Sequence, residues 1–370
     1  MLIEKFACQG PCEKKPTMSD IAAACAVSQA TVSLVLNNAP GTRISASTRQ
    51  AVLRAAANLG YSTPARRIDR RPLIAMIINE VSSSPHAAGL IDGAAEAANE
   101  LGYLLSIMPT DADEEAEQAA LDHLATMSVA GIIYARLITQ QVTLAPQLAA
   151  WPTVLLNCYA VDKPLPSVVP GDLAAAMKAT LSLIDAGHTR VAYIGGEDMV
   201  EASRDRMKGY RRALTMRDIP VDNHLVIKGR WTIQGGYAAF KRLQALDEPP
   251  TAICCFCDRI AMGVYEASKE AGLSIPRDLS VIGFDNESYT ADMLPPLTTM
   301  QLPHADMARY AVEKLAEIIA APRLRHDNHK VKLECEMLVR QSVAPAPVVG
   351  DRTRGLLSAG SSKPDSPTSK

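Results

Sequence analysis

Beyond Pro72 the chain alternates short apolar runs with helix-patterned stretches, and this alternation restricts its fold more than any other feature. The runs are Leu73–Ile78, Tyr103–Met108, Gly131–Tyr134, Val154–Asn157, Val191–Gly195, Leu225–Lys228, Thr251–Cys255 and Val281–Phe284. Continuous apolar runs of this length suit strands buried on both faces, and strict strand–helix alternation requires parallel sheets built from right-handed βαβ units. About 270 residues exceed what one core comfortably organises, so two doubly wound parallel-sheet subdomains are expected.

The segment before Pro72 has a different character. Thr17-Met18-Ser19-Asp20 fits a capping box, with Ile21, Ala24 and Cys25 on one face of the helix it starts. Ala26-Val27-Ser28 interrupts the pattern, and Ser28 can cap a second helix with Val32, Val35 and Leu36 as its apolar stripe. Gln29, Thr31 and Ser33 lie on the opposite, small and polar face. A third helix is expected from Ser45, with Val52, Leu53, Ala56 and Leu59 buried and Gly60 as its stop. Two short helices joined by a tight turn have the shape of a helix-turn-helix, whose second helix enters the major groove by its N-terminal end. Charge agrees with that shape. Residues 13–72 carry nine basic side chains against three acidic ones, net +6, whereas the whole chain is −2 and the remainder therefore −8. A basic module on an acidic body is the footprint of phosphate binding.

The run Val27-Ser28-Gln29-Ala30-Thr31-Val32-Ser33 resembles the headpiece of the LacI/GalR family of bacterial transcription regulators. Phrases through the body carry the same resemblance in order and spacing: Gly187-His188-Thr189-Arg190, Arg204-Asp205-Arg206-Met207-Lys208-Gly209-Tyr210, Pro250-Thr251-Ala252-Ile253, Ser280-Val281-Ile282-Gly283-Phe284-Asp285 and Pro295-Pro296-Leu297-Thr298-Thr299. It implies an all-α, lambda-repressor-like headpiece followed by a type I periplasmic-binding-protein-like α/β effector domain. The implied organisation is an unstructured extension (1–15), headpiece (16–62), short basic linker (63–72), ligand-binding domain (73–343) and unstructured tail (344–370). The N-subdomain would comprise 73–168 and 300–324, and the C-subdomain 169–297 and 330–343, with crossings near 168–170, 297–300 and 322–330.

For DNA, the resemblance places Gln29 and Ala30 at base-reading positions and Thr31, Ser33 and Asn37 near phosphates, with Ser28 also at the interface and Arg66 and Arg67 in the linker. Gln29 suits adenine, since its planar amide both donates and accepts. Leu34 stands where many members carry arginine, replacing a guanine contact with an apolar one. The linker is shorter than usual, with Ile68 as its one large apolar residue, and reads either as a minor-groove wedge or as a basic arm on phosphates. For the effector, the implied anchors are Arg206 and Asp285, with Trp231 able to stack on a sugar ring and Asn157, His86, Cys257 and Asp258 at further pocket positions. Several of these depart from the family pattern: Ser84-Pro85-His86-Ala87 lacks its aromatic pair, Cys257 replaces an asparagine, Asn157 an aspartate and Leu302 a glutamine.

Other chemistries find less support. Cys254, Cys255 and Cys257 have no paired C-x-x-C spacing and no nearby histidine, so they read as buried thiols, and no metal or cofactor is expected. Gly195-Gly196 follows a strand but lacks G-x-G-x-x-G, and His188 belongs to the turn before a strand rather than to a nucleophile motif. The N-terminus has no long apolar segment behind a basic start, and no run approaches about 20 apolar residues. The expectation is a cytoplasmic, homodimeric regulator, a repressor by preference. It would bind a palindromic operator in double-stranded DNA under the control of a small-molecule effector, expected to be a carbohydrate. The alternatives are an α/β enzyme and a solute-binding protein using the same cleft.

Overall fold

The computed structural model describes residues 16–36, 44–61, 71–82, 85–161, 165–323 and 329–347. The chain divides into one compact unit through Arg70 and another from Arg71.

In the first unit, α1 (Met18–Cys25), α2 (Gln29–Leu36) and α3 (Ala46–Asn58) close on a core of Ile21, Val32, Val35, Val52 and Ala56. The capping box is complete: the Thr17 hydroxyl accepts from the Asp20 amide, and the Asp20 carboxylate accepts from the Thr17 amide. Ala26, in the left-handed region at φ 51°, ends α1, and α2 leaves at 107° to it. Two positions expected to be buried, and one on the face expected to carry Ile21, are not. Ala24 is exposed, and Leu53 and Leu59 are 49% and 41% exposed. Two short helices cover only the Val52–Ala56 side of α3, so the apolar stripe read there was too wide.

The second unit holds two six-stranded sheets. The first has the order β11-β5-β4-β3-β1-β2, from β1 (Leu73–Ile78), β2 (Leu104–Pro109), β3 (Val129–Gln141), β4 (Thr153–Tyr159), β5 (Ser167–Pro170) and β11 (Lys330–Leu333). The second has the order β12-β10-β9-β8-β6-β7, from β6 (Val191–Gly195), β7 (Val226–Lys228), β8 (Ala252–Cys255), β9 (Ser280–Asp285), β10 (Thr298–Gln301) and β12 (Glu336–Leu338). Helices α4 (His86–Glu100), α5 (Glu114–Ala125) and α10 (His304–Ala320) accompany the first sheet. Helices α6 (Asp172–Asp185), α7 (Glu201–Met216), α8 (Ile233–Gln244) and α9 (Asp258–Glu270) accompany the second.

Pairing is parallel throughout the first sheet, but β12 joins the second antiparallel to β10, so that sheet is not purely parallel. Strand pairing also shifts the expected crossings. Val169 and Pro170 belong to the first sheet, Met300 and Gln301 pair with β9 in the second, and residues 330–333 pair with β5 in the first. The crossings thus fall at Gly171, at Leu302-Pro303 and at Glu334-Cys335. The tail expected to be unstructured from residue 344 stays packed through its first residues: the Ala346 amide donates to Ala186, and the Ala344 carbonyl lies 3.0 Å from the buried His188 ring. His188 also meets the Thr251 and Ser280 hydroxyls, so its role is to tie three segments of the second subdomain together.

Helices α4 and α10 touch where Gly93 faces Ala305. A Cβ at Gly93 would lie 2.4 Å from the Ala305 carbonyl oxygen, a backbone atom with no flexible end to move aside. Gly93→Ala is therefore expected to destabilise the protein by about 1–3 kcal/mol through overpacking, read as a lower urea midpoint. An unchanged midpoint would mean the helices can part at no cost.

Candidate ligand cleft and nucleic-acid interface

In the first unit, the Ser28 hydroxyl accepts from the Thr31 amide at 3.1 Å and lies 2.9 Å from the Thr31 hydroxyl, so both side chains help to begin α2. Burial of Val32 and Val35 turns Gln29, Ala30 and Leu34 outward; Leu34 is 39% exposed, and Thr31 and Ser33 are half-buried. Leu34 is the sixth of the eight residues of α2, and among the described residues it takes no part in the five-residue core to which the helix's other face is committed. Asn37, Arg66 and Arg67 lie outside the described residues, as do Ile68 and Ser84.

Between the two sheets of the second unit lies a cavity of about 290 Å³. Its floor is built around Arg206, on the face of α7 turned to the interior and only 4% exposed. Its Nε donates to Asp172 at 2.7 Å, and its Nη1 donates to the Phe256 carbonyl at 2.6 Å and lies 3.5 Å from Asp285. The guanidinium plane rests on Phe284 and Phe256, 3.5 and 4.5 Å from the ring centres. Burial alone would favour losing the proton, but Asp172 and Asp285 outweigh it and hold the guanidinium pKa above its ordinary value. Burial raises the Asp285 carboxyl well above the usual range, against the pull of Arg206.

Backbone strain marks the same walls. Asn157, Trp231 and Asp285 all have left-handed backbones, at φ 55°, 58° and 113°, a conformation costly for non-glycine residues and concentrated at functional sites. Asn157 is committed locally: its amide donates to the Leu137 carbonyl at 2.9 Å and accepts from the Thr139 hydroxyl at 2.6 Å. It thereby satisfies β3 where the register between β3 and β4 breaks between Ala135 and Gln140. Trp231 stacks on Phe256 with ring centres 5.4 Å apart. Its indole N–H is buried with no hydrogen-bond partner among the described residues, and the same holds for the Ser203 hydroxyl. Both crowd the space a Cβ at Gly196 would take, 2.1 and 2.5 Å from that position.

The opposite wall carries His86 and His304, their rings 4.9 Å apart. The His86 Nε2 is 3.9 Å from Asp285. Burial, with smaller contributions from Arg206 and Arg259, lowers the His86 pKa to about 4; burial, His86 and Arg206 lower that of His304 to about 3. Both rings are neutral at pH 7.

Of the expected effector residues, Arg206, Asp285, Trp231, Asn157, His86 and Cys257 line this cavity together. Asp258 does not. It is fully buried beneath the cavity, accepting from the Thr299 hydroxyl at 2.7 Å and the Glu287 amide at 2.9 Å, and burial pushes its carboxyl up to about 7. Its role is to brace, through the Glu287 amide, the loop that follows Asp285 at the end of β9. Cys257 is buried at the start of α9, with its thiol pushed up to about 12 by burial. Asp172, Phe256 and His304 were missed. Asp172 opens the helix after the first crossing, and only the crossing itself could have drawn attention to it. Among the described residues, no group of three or more His, Cys, Asp or Glu is arranged to hold a metal, and no single helix is long and apolar enough to cross a membrane.

A helix-turn-helix unit followed by a two-sheet body with a charged, partly aromatic cleft between its sheets defines a ligand-responsive transcription regulator as a class. Residues 17–64 match the model of bacterial regulatory proteins of the lacI family, and residues 180–343 match a periplasmic binding protein-like domain. The transcriptional repressor CytR of Escherichia coli K12 is 31% identical over 340 residues, covering 90% of this chain and 98% of that protein. The regulator DegA of Bacillus subtilis is 33% identical over 341 residues, covering 90% and 99%. A solved structure of the CelR–cellobiose complex superposes with a TM-score of 0.60 at 27% identity, over 88% of this chain and 99% of that one. A LacI-family regulator structure from Rhizobium etli gives 0.67 at 26% identity, over 74% and 100%. The chain belongs to the LacI family of transcription regulators, and its relatives are regulators rather than enzymes.

Proposed function

We propose that the protein is a cytoplasmic repressor that binds a palindromic operator as a homodimer and releases or tightens that hold when a small carbohydrate-like molecule enters the cleft. The observation that carries the reading is the buried Arg206 guanidinium. It is held by Asp172 and shares Asp285 with His86 on the facing wall, in a chain whose other unit exposes Gln29, Ala30 and Leu34 on one helix. A fork of N–H donors beside a carboxylate can hold adjacent hydroxyls, and Trp231 offers a flat apolar face beside them. Two-fold symmetry follows from the DNA geometry, since one recognition helix reads half a site and a dimer supplies the other half. The effector acts only by binding one cleft geometry better than another. The neighbouring CelR structure contains cellobiose, which supports a sugar or sugar derivative here.

In this reading Gln29 contacts adenine, Ala30 and Leu34 make apolar contacts, and Ser28, Thr31, Ser33 and Asn37 lie along the backbone with Arg66 and Arg67. Footprinting on genomic fragments, with and without candidate sugars, tests the whole reading: a protected palindrome whose protection changes with one sugar supports it, and equal affinity for random DNA refutes it. Leu34→Arg tests the helix alone. A bidentate guanine contact is worth about 1–3 kcal/mol, so selection from a randomised operator library should shift toward guanine at one position per half-site. An unchanged consensus would mean that residue 34 does not face the bases.

A further inference from the structure

The charges around the cleft extend this reading, on which the inference rests, to the class of ligand. Among the described residues the cavity is lined by four carboxylates, Glu80, Asp172, Asp285 and Glu287, and by two cations, Arg206 and Arg259; no lysine lines it. Both cations are already matched. Arg206 is bound to Asp172 at 2.7 Å and faces Asp285 at 3.5 Å, and Arg259 lies 3.8 Å from Glu287. The two imidazoles on the opposite wall, His86 and His304, are neutral at pH 7 and add no positive charge. Among the described residues, the Arg206 Nη2 makes none of the contacts above and is left to address a ligand, whereas the Trp231 indole N–H is itself buried against Gly196 beside the Ser203 hydroxyl. That donor suits an oxygen of an uncharged molecule. A phosphate or carboxylate would enter a surface with no spare cation and would lose its hydration without compensation.

We propose that the cleft is a charge filter: it takes an uncharged polyhydroxylated ring, a neutral sugar or a nucleoside, and rejects the phosphorylated or carboxylated form of the same compound, with Glu80 and Glu287 enforcing the rejection. Such a regulator reports the free compound before the kinase or oxidase that would trap it has acted. It is blind to the product of that step.

Matched pairs test this by calorimetry on the full chain at 150 mM salt, where the general acidity of the body is largely screened. The pairs are glucose and glucose 6-phosphate, cellobiose and cellobionate, and adenosine and adenosine 5′-monophosphate. The neutral member of the binding pair should bind about tenfold or more tightly than its anion, and Glu80→Gln/Glu287→Gln should narrow that ratio about fivefold. Which pair responds separates sugar from nucleoside. Equal or tighter binding of the anion by the wild-type protein overturns the filter, and an unchanged ratio in the double variant overturns the assignment to these two glutamates. The cleft reading fails separately: if Arg206→Ala binds the same ligand as tightly as wild type, or if no pair binds at all, that reading is wrong and the filter falls with it.

Discussion

Arg206→Ala should abolish effector binding and cost about 3–5 kcal/mol of stability, because it strips the partner from a buried charge. Asp172 is only 4% exposed and takes its 2.7 Å bond from the Arg206 Nε. Removing the guanidinium leaves that carboxylate and Asp285 in an apolar surround with Phe256 and Phe284 bare on one side. Calorimetry should show no heat with the sugar that binds the wild-type protein, and gel shifts should show one operator affinity with or without it. Loss of binding through general unfolding is a different outcome, and a double variant separates the two. Arg206→Met with Asp172→Leu replaces the pair by apolar side chains of similar length, an exchange that is often neutral. It should recover most of the urea midpoint and none of the sugar binding. Recovery of both would mean that Arg206 is a structural charge and the effector sits elsewhere.

Much of this site was legible in the sequence because parallel sheets confine it: the ends of buried strands and the loops after them converge, and Asp285 closes β9 while Trp231 lies in the loop after β7. The eight apolar runs became strands for the same reason. The strands missed at 167–170, 298–301, 330–333 and 336–338 read Ser-Val-Val-Pro, Thr-Thr-Met-Gln, Lys-Val-Lys-Leu and Glu-Met-Leu, in which polar residues or proline break up any apolar run. They are also where the chain changes sheets, which is why the subdomain boundaries moved by a few residues. Asp258 was misplaced because its neighbour Cys257 does line the cavity; at the start of α9 a single residue separates a side chain facing the cleft from one beneath it. Asp172 and His304 carried no signal in sequence beyond their place just after a crossing. Each opens a helix directly after a crossing, and its place in the cleft follows from how two sheets meet, which no local pattern encodes.

The pair His86 and His304 should give the protein a distinct acid limb. In the unfolded chain both imidazoles titrate near the ordinary 6.5, whereas in the folded protein burial holds them at about 4 and about 3. Between pH 6.5 and about 4 the unfolded state therefore binds more protons, and these two groups make stability fall as pH falls. Their joint slope is at most about 2.7 kcal/mol per pH unit, two protons' worth. Asp258 works in the opposite sense over much of this range. Its folded value of about 7 lies above the ordinary 3.8, so the native state holds the extra proton and gains stability as pH falls from 7 toward 4. The informative quantity is thus the difference between wild type and His86→Gln/His304→Gln. Urea unfolding at pH 7, 6 and 5 should show the variant losing far less stability on acidification than wild type, while both respond alike above pH 7. Parallel curves would mean that the two rings take up protons in the folded cleft. In that case the wall facing Asp285 would carry positive charge in mild acid, and the rejection of anions should weaken over the same pH range.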